Sequence, residues 1–223
     1  MNYEDWKWAD YFYPDTYDKD YGYGTLRNLY GLHNSDDLRE WEYEDTRRRA
    51  SELRKDPRLI DRTYDAPHLR AIHAYLFQDV YEWAGQYRTV DMGKGNSFFF
   101  RQEIDMWLEE AHKLVHVSAW PDLDWNGFAD ASAAVFARVN KAHPFREGNG
   151  RTSRVFMDHI SELSCFRFNW SHINNIDEWN RCSDISSMAL SQHDPDSAIE
   201  ALSPLFYNAA LPRNHPLHIL SDP

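Results

Sequence analysis

A histidine, a glutamate, three arginines and two glycines stand together within twelve consecutive residues, His143-Pro-Phe-Arg-Glu-Gly-Asn-Gly-Arg-Thr-Ser-Arg154, a set that could do chemistry as a unit. An unperturbed imidazole such as His143 titrates near neutrality and suits proton transfer. Glu147 offers hard oxygen ligands of the kind a divalent cation takes. Arg151 and Arg154, three apart, share a face of a helix's first turn and can grip phosphate oxygens. Gly148 and Gly150 leave out two side chains where a backbone must bend sharply or approach a ligand. A glycine-rich loop that opens a helix adds unpaired N–H groups and the positive end of the helix dipole. The set describes a site for a polyphosphate, a divalent metal and a proton transfer. Each part alone has a plainer explanation: a turn, a packing histidine, a solvated pair of arginines. Their coincidence within one short stretch sets those explanations aside.

The rest of the chain must position this loop. Pro144 biases His143 away from helical angles, so the helix before it stops there. Asp122 to Asn126 caps that helix, with Phe128, Ser132, Val135, Phe136 and Val139 inward and several alanines permitting close packing. A following helix begins near Gly150 and buries Val155, Phe156, His159, Ile160 and Leu163, and Phe145 is the apolar plug anchoring the loop. Further upstream, the pattern predicts a mostly solvated helix over 35–55. A strongly apolar helix follows from the Asp65 cap through Ala84 to Gly85, with His73 as a satisfied core histidine. Residues 87–100 read as a short hairpin around Gly93-Lys-Gly-Asn96, and spacing alone makes it a cap on the fold. Ile104 to Leu114 is another amphipathic helix. Its His112 and His116 lack the glutamate of a zinc protease, which argues against metal binding there. Residues 1–34 form an acidic, aromatic arm whose rings fill surface grooves. One or two helices follow Trp170, and the chain from Pro212 on is a loose end.

With 223 residues and 15% aromatics there is ample material for a core. A net charge of −12 argues against general nucleic-acid binding, because phosphate contacts need clustered Lys and Arg. Cys165 and Cys182 have no CxxC spacing and read as free thiols of a reducing compartment. No run of residues suggests a membrane span or a signal segment, so the expected location is the cytoplasm, with delivery into another cell as an alternative.

The central stretch resembles the HxFx(D/E)GNGRxxR signature of Fic domains at every defined position, and Leu69–Arg88 looks like the family's helix leading to its hairpin. The likeness runs from about residue 10 to 206. It implies an all-α, Fic-type helical bundle with a small β-hairpin flap: an arm over 1–34, a Fic domain over 35–210 and a tail over 211–223. It also implies a protein adenylyltransferase, which moves AMP from ATP to a hydroxyl of a target protein. In that chemistry His143 is the general base and Glu147 holds Mg²⁺. The N–H groups of Gly148, Asn149 and Gly150, with the Asn149 amide, form the anion hole. Arg151 grips the β-phosphate and Arg154 the γ-phosphate. The resemblance turns the hairpin into a flap that docks a target segment by strand addition, centred on Lys94, Gly95, Asn96, Ser97 and Phe98.

Many Fic proteins carry an inhibitory helix of pattern (Ser/Thr)xxxGlu(Gly/Asn). The only Glu before Gly or Asn here is Glu147, and four residues before it stands His143. The resemblance therefore implies the toxin of a toxin–antitoxin pair, with a small antitoxin supplying that glutamate to Arg154. A secreted effector is the alternative. Type II topoisomerase subunits are expected as targets by analogy only. Transfer of UMP or phosphocholine, and a binding module whose chemistry is unused, remain as rival readings.

Overall fold

Helix α4 (Trp125–Ala142) is the centre of the fold because its sequence allows neighbours to come close. Ala129, Ala133 and Ala137 are fully buried, and α3 (Ile104–Val117) and α7 (Pro195–Ala209) pack against it. Phe128 and Phe136 fill the wider gaps. The computed structural model describes residues 2–213. In chain order the remaining helices are α1 (Ser35–Lys55), α2 (Ala66–Phe77), α5 (Asn149–Ser161) and α6 (Ile176–Ser191). Two small antiparallel pairs complete the fold: β1 (Met92–Lys94) with β2 (Ser97–Phe99), and β3 (Phe166–Phe168) with β4 (Ala210–Pro212). This is the helical bundle with a hairpin that the resemblance implies. Side-chain caps set most helix starts: Asn34 accepts from the N–H of Asp36 and Asp37, Asp65 from His68, and Asp124 from Gly127. Among the described residues no helix is long and apolar enough to cross a membrane.

Three expectations need correction. Helix α2 ends at Phe77, not near Ala84. The Phe77 carbonyl accepts from both Val80 and Tyr81, the chain turns, and the apolar residues fold back along the helix instead of prolonging it. Tyr81 and Trp83 stack at 4.2 Å, and Trp83 lies 5.8 Å from the His73 ring. Gly85 sits at φ +78°, where a Cβ would lie 2.7 Å from that of Ala74. The hairpin is also shorter than 87–100. It pairs Met92 with Phe99 and Lys94 with Ser97 around Gly95-Asn96, and Gly95 has φ +61° as tight hairpin turns require. Residues 87–91 are drawn away by the reactive loop, since Arg88 N–H donates to the Pro144 carbonyl at 2.8 Å. Finally, Pro212 belongs to β4, and Arg213 donates to the carbonyls of Cys165 and Ser164. Residues 214–223, the rest of the expected loose end, lie outside the described residues.

Candidate active site

The reactive loop joins α4 to α5 and is fixed from below by residues that ordinary core packing would require anyway. His143 ends α4 in the left-handed region (φ 39°, ψ 57°), the departure from helical angles that Pro144 demands. Phe145 is 1% exposed and stacks on the His73 ring at 3.8 Å, so the expected plug is in place. His73 is a satisfied core histidine with a second duty. Its Nδ1 accepts from Gly85 N–H at 2.8 Å, and its Nε2–H donates to the Glu147 carbonyl at 3.1 Å. Burial holds this ring neutral, pushing its pKa down to about 3.

From above, the buried Arg88 guanidinium donates to the carbonyls of His143 (2.8 Å), Ala142 (3.3 Å) and Val90 (2.6 Å). Arg146 is buried among arm residues, its guanidinium 4.2 Å from the Trp8 ring, 5.0 Å from Phe12 and 5.5 Å from Tyr11. The aromatic arm does fill a groove, as expected, and the groove is the one that holds the loop.

The two glycines differ in purpose. Gly148 has φ +80°, and a Cβ there would lie 2.2 and 2.4 Å from Phe77 ring atoms, so only glycine lets the loop pass over that ring. At Gly150 a Cβ would meet nothing within 4 Å. Its bare backbone instead leaves open space at the N-terminus of α5, where unpaired N–H groups and the helix dipole favour an anion. The Asn149 side chain, expected in the anion hole, also ties the loop together, with one of its two amide hydrogens engaged. Its Oδ1 accepts from Phe145 N–H at 2.9 Å and its Nδ2 donates to the Phe145 carbonyl at 2.7 Å, which closes the loop on itself. Gly148 N–H likewise donates to the Glu147 carboxylate at 2.8 Å.

A cleft of about 690 Å³ opens over this loop, lined by His143, Glu147, Gly150, Arg151 and Arg154 on one side and by Lys94 of the hairpin on another. That is the size of an ordinary small-molecule site. His143 is 8% exposed and lies under the Phe99 ring at 4.5 Å. Burial, then the charges of Lys94 and Arg88, push its pKa down to about 3, well below the near-neutral value its type suggests. The imidazole is therefore neutral, and a pKa this low makes it a weak base until negative charge enters beside it. Arg154 lies over Trp179 at 5.4 Å and Trp170 at 5.8 Å, held by rings and facing the cleft. Arg151 donates to Glu42 of α1, to Thr46 Oγ1 at 3.3 Å and to Glu147 at 3.4 Å, above the Phe77 ring.

The hairpin is fastened over the cleft at two points. The Asp184 carboxylate of α6 accepts from Asn96 N–H (3.1 Å), Asn96 Nδ2 (3.0 Å) and the Ser97 hydroxyl (2.5 Å), and those bonds hold its pKa down against burial. Lys141 Nζ donates to the Phe98 carbonyl at 3.0 Å. Phe98 itself is half exposed, free for outside contacts. Glu42, Arg88, Lys141 and Asp184 escaped the sequence reading. For Glu42 a signal existed: with Leu38, Thr46 and Leu53 it marks the buried stripe of α1, where a lone carboxylate needs a partner. For His112 and His116 the structure gives backbone partners: His112 Nδ1 bonds the Tyr64 carbonyl, and His116 Nδ1 bonds the His112 carbonyl.

Residues 63–161 match the Fic/DOC family. A protein of Sinorhizobium fredii named "Probable protein adenylyltransferase y4lH" is 32% identical over 166 residues, covering 72% of this chain and 79% of its own. The chain belongs to the Fic/DOC family. A second relative, "Probable protein adenylyltransferase Fic" of Salmonella typhimurium, is 29% identical over 186 residues, or 80% of this chain and 84% of its own. Among solved structures, the N-terminal Fic domain of a VirB-translocated Bep effector of Bartonella quintana with bound ADP superposes with a TM-score of 0.75. That structure is 27% identical and covers 92% of this chain and 96% of its own. The Fic-type fold is thus shared along nearly the whole described chain.

Proposed function

We propose that this Fic/DOC protein is a protein adenylyltransferase that transfers AMP from ATP to a serine, threonine or tyrosine hydroxyl of a target protein. One observation carries the reading: a single cleft collects a neutral His143, the open N-terminus of α5 at Gly150, and the guanidinium groups of Arg151 and Arg154. In the proposed reaction the target oxygen attacks the α-phosphorus as its proton passes to the His143 imidazole, and pyrophosphate leaves in line. Arg151 and Arg154 hold the β- and γ-phosphates. The first-turn N–H groups of α5, Gly150 foremost, stabilise the charge that gathers on the phosphate oxygens. The flap residues Lys94 to Phe98 align the target chain alongside β1.

For Mg²⁺ the donor set is one half-exposed carboxylate, Glu147, at the rim of the cleft, and no cluster of three or more ligating side chains exists among the described residues. That suits a cation that keeps several waters and takes the rest of its shell from substrate phosphates. Glu147 would hold it, and when bound it neutralises phosphate charge.

Restraint by a small separate antitoxin, whose glutamate would reach Arg154, remains our preferred regulation. It is supported by the absence of an inhibitory pattern from these 223 residues and by an Arg154 that faces the cleft from over the Trp170 and Trp179 rings. A type II topoisomerase subunit is the proposed target class by analogy. The second reading, an effector delivered to a host cell, is favoured by the VirB-translocated protein among the structural relatives. The deciding experiment transfers label from α-phosphate-labelled ATP to proteins of a lysate, beside γ-labelled ATP and the His143→Ala variant. Label from the α position alone, lost in the variant, supports AMP transfer. Label from the γ position means phosphoryl transfer. Silence with ATP, UTP and GTP leaves the binding module.

A further inference from the structure

Arg151 is held between two carboxylates of very different character. Its Nη2 donates to Glu42 Oε1 and lies 3.4 Å from Glu147 Oε1. The Glu42 side chain is 9% exposed and that of Glu147 is 44% exposed, with Arg151 between them at 32%. The second oxygen of Glu42 accepts the hydroxyl proton of Tyr81, a ring that is itself 2% exposed. Thr46 links the parts: its hydroxyl donates to the Glu42 carbonyl at 2.7 Å and accepts from Arg151 Nη1 at 3.3 Å. The Phe77 ring lies 4.9 Å beneath the guanidinium. Glu42, Thr46, Tyr81 and Phe77 therefore form a fixed buried socket, whereas Glu147 reaches Arg151 only from the open side of the cleft.

This asymmetry decides what each carboxylate can do. A carboxylate as buried as Glu42 cannot give up its cation without leaving an unpaired charge in the interior. A half-exposed Glu147 can exchange Arg151 for water or another ligand at little cost. An incoming phosphate would therefore displace Glu147 from Arg151 and leave the bond to Glu42 intact. A guanidinium already oriented by one carboxylate also loses less freedom on gripping a second anion.

We propose that Glu42 is a positioning residue of the nucleotide site: it holds Arg151 in place for the β-phosphate, while Glu147 is the partner that Arg151 exchanges for that phosphate. The assignment rests on the reading of the cleft as a nucleotide site. It assigns a role in phosphate recognition to α1, a helix outside the signature loop.

The test separates phosphates by number. ADP and AMP, each with Mg²⁺, are titrated calorimetrically into the wild type, Glu42→Gln, Tyr81→Phe and Arg151→Ala. Removing the group that orients a metal ligand commonly costs about tenfold to a hundredfold, and an oriented guanidinium stands in the same relation to its phosphate. Glu42→Gln is expected to weaken ADP by about tenfold while AMP, which lacks a β-phosphate, changes less than about twofold. Tyr81→Phe, which removes a single hydroxyl, shows the same selective loss on a smaller scale and serves if Glu42→Gln does not fold. Adding Glu42→Gln to Arg151→Ala costs ADP nothing further, because Glu42 acts through that arginine. A merely structural role would weaken both nucleotides together and overturns the assignment, as does unchanged or tighter ADP binding in Glu42→Gln. If the wild type binds neither nucleotide, the nucleotide reading falls and the assignment falls with it. If Arg151→Ala loses ADP selectively but Glu42→Gln does not, only the assignment falls.

Discussion

Gly148→Ala places a methyl group where the structure has no room. The new Cβ would lie 2.2, 2.4 and 3.0 Å from three Phe77 ring atoms, far inside contact distance. The ring cannot move aside freely, because it stacks on His73 at 4.6 Å and on Tyr81 at 5.9 Å and carries Arg151 above it. Two costs add. Overpacking a tight site costs roughly 1–3 kcal/mol. Placing a non-glycine residue at φ +80° costs about 1–2 kcal/mol more. The sum, about 2–5 kcal/mol, is a large part of the 5–15 kcal/mol that stabilises a typical domain. For a chain of this length, at about 2–4 °C per kcal/mol, it lowers the melting temperature by roughly 4–20 °C. Differential scanning calorimetry reads the shift, and label transfer from α-labelled ATP reads the loop. The double variant Gly148→Ala/Phe77→Leu removes ring atoms but not the backbone strain, so it regains part of the shift attributable to contact. A single variant that melts within about 1 °C of wild type and labels normally would show that the Phe77 contact does not confine the loop.

Three further outcomes can be checked. The buried His73 and the mutually stacked pair His68 and His159 are neutral, with pKa values pushed down by burial to about 3, about 4 and about 3. Because the unfolded chain binds those protons first, their contribution is complete above pH 6.5 and lost as pH falls from there toward about 3–4. The His73 share of the change in stability between pH 7 and pH 5 is roughly 2 kcal/mol. Buried Asp158, its pKa raised by burial to about 7, changes in the opposite sense, so urea melts at both pH values compare wild type with His73→Gln. A pH difference unchanged by the substitution would contradict a buried, neutral His73. The depressed pKa of His143 should rise when a polyphosphate enters, since negative charge beside an imidazole favours its protonated form. Histidine NMR titration with and without ADP reads this, and a fall would place the phosphates elsewhere. Asp184→Ala removes the acceptor of three hairpin bonds. Amide exchange over residues 93–98 should quicken and target labelling drop, with the melting temperature lowered by less than about 2 °C; unchanged exchange would mean that Lys141 alone secures the flap.

The helices, the loop and its plug were legible because they depend on neighbours in sequence. His143, Glu147, Arg151 and Arg154 announce themselves through spacing alone, and Phe145 through its place between polar residues. Elements set by distant contacts were read less well. Periodicity carried α2 through Val80 and Tyr81, since an apolar residue that folds back on a helix looks the same as one that extends it. Tyr87 to Asp91 has strand composition, yet Arg88 is captured by carbonyls of the reactive loop. The closure of the Asn149 amide onto Phe145 is set by the fold of the loop, which no spacing of residue types reveals. The stripe of α1 marks Glu42 as a buried carboxylate in need of a partner, but that partner, Arg151, lies 109 positions away, where no local pattern reaches.

The cage of Trp8, Tyr11 and Phe12 around Arg146 bears on how the protein comes into being. Those rings leave the ribosome long before the loop that they grip has been synthesised. The arm must wait in the open with its aromatic surface unburied until α4 and the loop arrive, a long-range closure of the kind that slows folding and invites stray association. Maturation of the loop is therefore a late event, dependent on residues far upstream returning to it. An N-terminal fusion partner would act on activity through that return without touching a single residue of the cleft.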